Sequence, residues 1–218
     1  MTDAFMGPWN FPDIHQLEGK YVSIQRINPE RDIDDLFSVS HTPAEYQNLF
    51  TYMSFGPFAE KSAMLAWLNE LTKSKDPLYY SVFDKSHNKY IGMASLLNIV
   101  PAQGRVEIGN IWYSPLVQKT KVNTEVTYLF LKTLFQDYRY RRVEWKCDDL
   151  NVPSKQAALR MGFSYEGLFR QHMIIKGKNR DTAWYAIIDK DWSPLEKNFE
   201  AYLSGNVDSL SKLNIQKP

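Results

Sequence analysis

The chain of 218 residues has a single cysteine, Cys147. No intramolecular disulfide framework can hold it together, which fits a reducing compartment. Its four histidines, His15, His41, His87 and His172, lie far apart with no cysteine beside them, which argues against a zinc site. No apolar run approaches the roughly 20 residues that a membrane helix needs. The opening MTDAFMGPWNFPD has neither the basic start nor the apolar stretch of a secretory signal. A cytoplasmic location is expected, with the nucleus as the alternative, and no membrane partner. An excess of one charge is missing too: 26 Lys and Arg face 25 Asp and Glu. A general nucleic-acid binder would show a basic excess or stripe, so no nucleic-acid partner is expected. There is no internal repeat and no low-complexity tract. A chain of this length can bury one substantial core, and one domain is the default.

What is present is a regular alternation of strand and helix patterns. Residues 1–20 carry two prolines and two glycines and read as an irregular arm. Tyr21 to Ile27 alternates like a first strand. Thr42-Pro43-Ala44-Glu45 has the form of a capping box with proline at the first helical position, which predicts a helix start there. Thr51 to Glu60 is an aromatic loop broken by Gly56-Pro57, and Lys61 to Lys73 has a helical apolar stripe. Three strand-like runs follow in series: Leu78 to Phe83, Tyr90 to Ile99 and Arg105 to Tyr113. A second strong helix is predicted over Asn123 to Tyr138. Arg142 to Asp148 alternates as a strand. Asn151 then opens a helix with Pro153 in its first turn, and Gly162-Phe163 stop it. Phe163 to Lys176 and Asp181 to Asp189 read as an antiparallel pair joined at Gly177-Lys178-Asn179. Ser193-Pro194-Leu195-Glu196 predicts a short C-terminal helix, and 207–218 a frayed tail.

Asn151-x-x-Ser154 followed by Ala157-Ala158-x-x-x-Gly162-Phe163 resembles the second half of the acetyl-CoA-binding core of the GNAT superfamily, the acetyl-CoA-dependent N-acetyltransferases. The element order β-αα-βββ-α-β-α-ββ agrees with it. The resemblance covers about residues 20–192, with its sharp motifs between 105 and 192. It implies an α/β fold: a mixed, mostly antiparallel sheet of six or seven strands with helices on both faces. The domain would run over 21–192, with a C-terminal helix and tail over 193–218. Gln118, Thr120, Thr124 and Glu125 resemble the RimJ/RimL branch.

The resemblance implies a set of site residues. The junction Gln118, Lys119, Thr120, Lys121, Val122, Asn123 and Thr124 would cradle the pyrophosphate of acetyl-CoA. A helix start leaves N–H groups unpaired and carries partial positive charge. Lys121 stands where the family usually has glycine, a departure in a loop where backbone must approach phosphate; Lys119 and Lys121 could add charge there. The alternative is that Asn123 or Thr124 merely caps a surface helix. Asn151 would face the pantetheine arm as well as capping its helix. Ala158 occupies the place of the family's usual tyrosine acid, so Ser154 becomes the candidate donor to the departing thiolate. Glu107 is the candidate base for the ammonium nucleophile, against the plainer reading of a solvated or paired strand glutamate. A backbone N–H near Ile111 would stabilise the tetrahedral intermediate. Tyr52, Phe55 and Phe58 would wall the acceptor pocket or else plug the core. An ion pair of Arg170 with Asp181 is expected to be structural. Cys147, between Lys146 and two aspartates, is read as a buried structural thiol and not a nucleophile.

The expected activity is transfer of acetyl from acetyl-CoA to a primary amine, on a small molecule or a protein N-terminus, by a monomer or homodimer that uses no metal. A non-catalytic CoA-binding module and a pure interaction domain with the same fold stay open.

Overall fold

The computed structural model describes residues 7–214; the ends of the expected arm and tail, residues 1–6 and 215–218, lie outside the described residues. Eight strands form one sheet: β1 (Gln16–Glu18), β2 (Val22–Arg26), β3 (Leu78–Asp84), β4 (Lys89–Val100), β5 (Arg105–Tyr113), β6 (Arg142–Asp148), β7 (Ser164–Ile175) and β8 (Lys178–Ile188), in the order β1-β2-β3-β4-β5-β6-β8-β7. This is one more than the six or seven that the sequence predicts. The eighth is β1, inside the segment read as an arm, where three residues pair antiparallel with β2. All neighbours are antiparallel except β5 and β6. That parallel pair is joined by the crossover helix α3 (Val122–Lys132), continued by a π turn over Thr133–Asp137.

Helices cover both faces. On one face α1 (Pro29–His41) and α2 (Lys61–Thr72) bury Ile33, Leu36, Val39, Met64 and Leu68 against Met93 and Trp112 of the sheet. On the other, α3, α4 (Val152–Arg160) and α5 (Asp189–Ser204) pack Val126, Phe130, Ala158 and Phe199 against Val106, Ile108, Val143 and Tyr185. A short α6 (Leu210–Leu213) closes the described chain.

Three local expectations change. The helix α1 precedes the Thr42–Glu45 signal: Asn28 caps it by accepting the Arg31 N–H, and Pro29 opens it. Thr42 is that helix's C-cap, and the following Ala44–Phe50 is a 3-10 helix with no side-chain cap. The last long helix begins at Asp189, before Ser193, with Asp191 reaching back to the Ile188 N–H and Pro194 inside it. The β7–β8 turn is Lys176-Gly177, so β8 begins at Lys178, three residues before the expected Asp181.

At the start of α3, Glu125 is buried and accepts the backbone N–H groups of Lys20, Tyr21 and Val22 at 2.8, 2.6 and 2.8 Å. Its carboxylate lies 2.5 Å from where a Cβ on Gly19 would stand, so only glycine lets the chain pass. This contact ties the first strands to the helix that opens the functional cleft.

Candidate active site

Strands β5 and β6 pair only over Arg105↔Arg142, Val106↔Val143 and Glu107↔Glu144. Beyond Glu107 they diverge, and the gap opens a cavity of about 430 Å³. Gly109, Ile111, Trp145, Lys146, Asn151 and Ser154 are part of its wall. Two bulges shape it. Asn110 and Ile111 oppose the single residue Ala94 of β4, and Asn98 and Ile99 of β4 oppose the single residue Val106. Asn98 and Asn110 take the left-handed φ values of +48° and +50° at these kinks. Ile111, the expected backbone donor, therefore lies in a stretch of β5 that does not follow the regular ladder.

Glu107 sits at the closed end of the gap and is 4% exposed. Its Oε2 accepts from Lys146 Nζ at 2.6 Å and from Asn98 Nδ2 at 2.7 Å. Oε1 takes neither of these bonds, and a Cβ on Gly109 would stand 3.2 Å from it and 2.8 Å from Leu97 Cδ2. Glycine there keeps the carboxylate uncovered. Burial pushes the Glu107 carboxyl above the usual carboxylate range, while Lys146 and then Asn98 pull part of that back. The glutamate is thus paired, as the plainer reading had it, yet it is buried in the cavity wall rather than solvated. Lys146 also lies 4.3 Å from the centre of the Trp184 ring, a cation–π contact that holds the ammonium over β8.

Asn151 caps α4, its side chain accepting the Ser154 N–H at 3.2 Å, and both residues line the cavity. Ser154 Oγ accepts from Trp145 Nε1 at 3.1 Å. That bond uses an oxygen lone pair and leaves the hydroxyl proton to be donated. Cys147 is buried, and burial pushes its thiol up, with Ser154 partly opposing; it is poorly suited to nucleophilic attack.

The junction before α3 divides. Gln118, Lys119 and Thr120 are exposed, and Thr120 Oγ1 accepts the Val122 N–H at 3.3 Å. The Glu125 N–H closes the first helical turn on Lys121 O, and the Asn123 and Thr124 N–H groups have no partner among the described residues. Asn123 Oδ1 is buried and also unpartnered. Thr124 is buried and its Oγ1 accepts from Arg160 Nη1 at 2.9 Å. Arg160 has no carboxylate within ion-pair distance among the described residues, and burial lowers its pKa. An unpaired helix start beside a half-buried arginine suits an anion, so these residues fit a pyrophosphate. Lys121 does not need to be glycine: its φ is −77°, and the left-handed position in this loop belongs to Lys119 at +62°. The Lys121 ammonium is also engaged elsewhere. Its Nζ donates to Tyr21 Oη at 3.2 Å and to Leu203 O at 3.1 Å, between the rings of Tyr21 and Tyr202.

The aromatic loop also divides. Tyr52 lines the cavity and donates to Leu150 O at 3.1 Å, with Met53 and Ser54 beside it. Phe55 and Phe58 do not line it. They pack on Trp67 of α2, with ring centres 4.5 and 5.0 Å away, because the Gly56-Pro57 turn folds them into the apolar layer under α1 and α2. The expected Arg170–Asp181 pair is absent as well: Asp181 Oδ1 accepts the Gln171 N–H at 2.7 Å and Asn179 Nδ2 at 2.9 Å instead. Sequence reasoning missed Asn98, Lys146, Arg160 and Trp145. Only Lys146 had a signal, since it is two residues past Glu144 on the same strand face and so points to the same side as Glu107. No group of three or more His, Cys, Asp or Glu among the described residues could hold a metal, and no helix there is long and apolar enough to cross a membrane.

Residues 22–164 match the profile of the Acetyltransferase (GNAT) domain. A GCN5-related N-acetyltransferase from Brucella melitensis has a similar structure, with 36% identity, a TM-score of 0.92, and 96% of this chain and 98% of that one covered. A probable GNAT-family acetyltransferase from Chromobacterium violaceum is 32% identical with a TM-score of 0.80, over 88% and 96% of the two chains. The [Ribosomal protein uS5]-alanine N-acetyltransferase of Escherichia coli (strain K12) is 24% identical over 137 residues, 61% of this chain and 68% of that protein.

Proposed function

The chain belongs to the GNAT acetyltransferase family, and from that premise we propose that it moves acetyl from acetyl-CoA to a primary amine by direct attack in the cavity between β5 and β6. The observation that carries this reading is the uncovered Oε1 of Glu107, buried at the point where the two strands part. Acetyl-CoA supplies the thioester from which the acyl group leaves. The Asn123 and Thr124 N–H groups and Arg160 bind its phosphates, with Gln118, Lys119, Thr120 and Val122 forming the rest of the loop. Asn151 and the Ile111 region of β5 line the path of the pantetheine arm.

Glu107 takes the proton of the ammonium nucleophile at Oε1. An amine attacks only when neutral, and a carboxyl raised by burial is a stronger base than an ordinary glutamate. Lys146 and Asn98 hold the carboxylate in place through Oε2. The Ile111 N–H faces the developing oxyanion, an interaction worth most where water is excluded. Ser154 donates its hydroxyl proton to the departing thiolate while Trp145 fixes the oxygen. Tyr52 positions the acceptor; Phe55 and Phe58 support its loop from behind.

Acetyl-CoA should raise the melting temperature. At about 100 times its dissociation constant a ligand adds about 2.7 kcal/mol. No shift at millimolar acetyl-CoA would overturn the assignment of the cleft.

A further inference from the structure

Arg180 lies in the cavity wall and has no part in the chemistry above. It is half-buried, and its Nε is buried with no hydrogen-bond partner. No carboxylate stands within ion-pair distance of it among the described residues. The surrounding groups are already engaged. Asp148, another acid in the wall, accepts the Leu150 N–H on Oδ1. Thr182 Oγ1 is paired with His172 Nδ1 at 3.0 Å, and Glu107 is held by Lys146. Further along the same face of β8, Trp184 Nε1 is another buried donor without a partner. In the cavity wall, Arg180 therefore offers an unused donor and a formal positive charge. A half-buried guanidinium without a counter-ion is costly unless a ligand supplies one.

Strand register fixes how far this charge stands from the base. Glu107 is level with Glu144, and Glu144 with Ala186. Arg180 lies six residues further along β8. That is about 20 Å of strand, of which roughly 10 Å remains once both side chains reach inward. A free α-amino acid, with amine and carboxylate on one carbon, is too short to touch both.

We propose that the acceptor is an extended amine whose far end carries a carboxylate or phosphate bound by Arg180. This rests on the acyl-transfer reading above. Arg180 is a specificity-determining residue, and its planar fork suits either anion.

The test uses paired acceptors that differ only in the far group. Ala-Ala-Ala as the free acid is compared with its C-terminal amide, and 6-aminohexyl phosphate with 6-aminohexanol. With the full-length enzyme and acetyl-CoA, one anionic member at least should exceed its neutral twin about 10- to 100-fold in kcat/KM, chiefly through KM, as a charged hydrogen bond predicts. The preferred pair tells carboxylate from phosphate. Arg180→Gln should abolish the preference, and Arg180→Lys should keep part of it. Thermal melts of both variants show whether they fold. Equal rates for anionic and neutral twins, or an Arg180→Gln defect that slows both alike, would overturn the assignment of Arg180 alone. Failure to acetylate any amine, despite acetyl-CoA binding, would overturn both it and the acyl-transfer reading.

Discussion

Replacing Glu107 by Gln keeps the shape of the side chain and removes its charge and basicity. Two effects follow, and the structure separates them. The first is on stability. The Glu107 and Lys146 side chains are only 5% and 15% exposed, so the change leaves a buried ammonium without its counter-ion. Breaking such a pair costs about 3–5 kcal/mol. Lys146 keeps its contact with Trp184, worth about 0.5–2 kcal/mol, which places the expected loss near the lower end. The second effect is on turnover. Loss of general-base catalysis should lower kcat about 10²- to 10⁴-fold, with acetyl-CoA affinity nearly intact. The defect should narrow as pH rises, because more of the amine is then neutral without help. In the wild type, the acid limb of kcat/KM should lie above the usual carboxylate range, because burial raises Glu107. Replacing both Glu107→Gln and Lys146→Met removes the unpaired charge, so stability should recover while turnover does not. Urea unfolding and steady-state rates between pH 6 and 10 measure the two effects. A double variant that recovers wild-type turnover, or a single variant with an unchanged pH profile, would refute the role of Glu107.

Ser154→Ala should lower kcat without relief at high pH, since it removes a donor to the leaving group; it also strips Trp145 Nε1 of its acceptor, costing about 1–3 kcal/mol in urea unfolding. Asn123→Pro deletes an unpaired N–H in the first turn of α3, where proline is tolerated, so calorimetry should show weaker acetyl-CoA binding with a small change in melting temperature. Lys121→Gly should do the reverse, lowering stability through the lost Tyr21 and Leu203 contacts and leaving acetyl-CoA affinity nearly unchanged. Glu166 is held low by its hydrogen bonds from Arg142. Its contribution is present above the ordinary carboxylate pKa and lost as pH falls through the depressed folded value. Glu166→Gln should therefore be less stable than wild type at neutral pH, and the difference should vanish in acid.

The parts of the fold legible in the sequence were those whose side-chain period matches one buried face. β5 was bounded at Arg105 and Tyr113 by Gly104 and Ser114, and α2 by its apolar stripe. α1 was hidden because its apolar residues, Ile33, Leu36 and Val39, are interleaved with acids. One of those, Asp32, is itself buried and accepts from Ser81 and the Asn28 N–H, a tertiary arrangement that no local pattern reveals. β1 is three residues long and owes its conformation to pairing with β2. At the site, Glu107, Asn151 and Ser154 were legible as residue types at family spacing, and the structure brings all three to one cavity. Their partners were not: Asn98 reaches Glu107 only through a bulge, and Arg160 reaches Thr124 across 36 positions of chain. Phe55 and Phe58 misled because an aromatic loop looks the same in sequence whether its rings face a cleft or a core.

Transfer of acetyl from acetyl-CoA to an amine in this cavity must release one CoA thiol for each acetylated amine. The direct measurement follows free CoA thiol and acetylated product together, by thiol titration and mass spectrometry, across a panel of primary amines and short peptides. One acceptor class should yield thiol and acetyl-amine in equal amounts, and Glu107→Gln should suppress both by the same factor. Thiol release without acetylated product, or product formed at the uncatalysed rate, would contradict it.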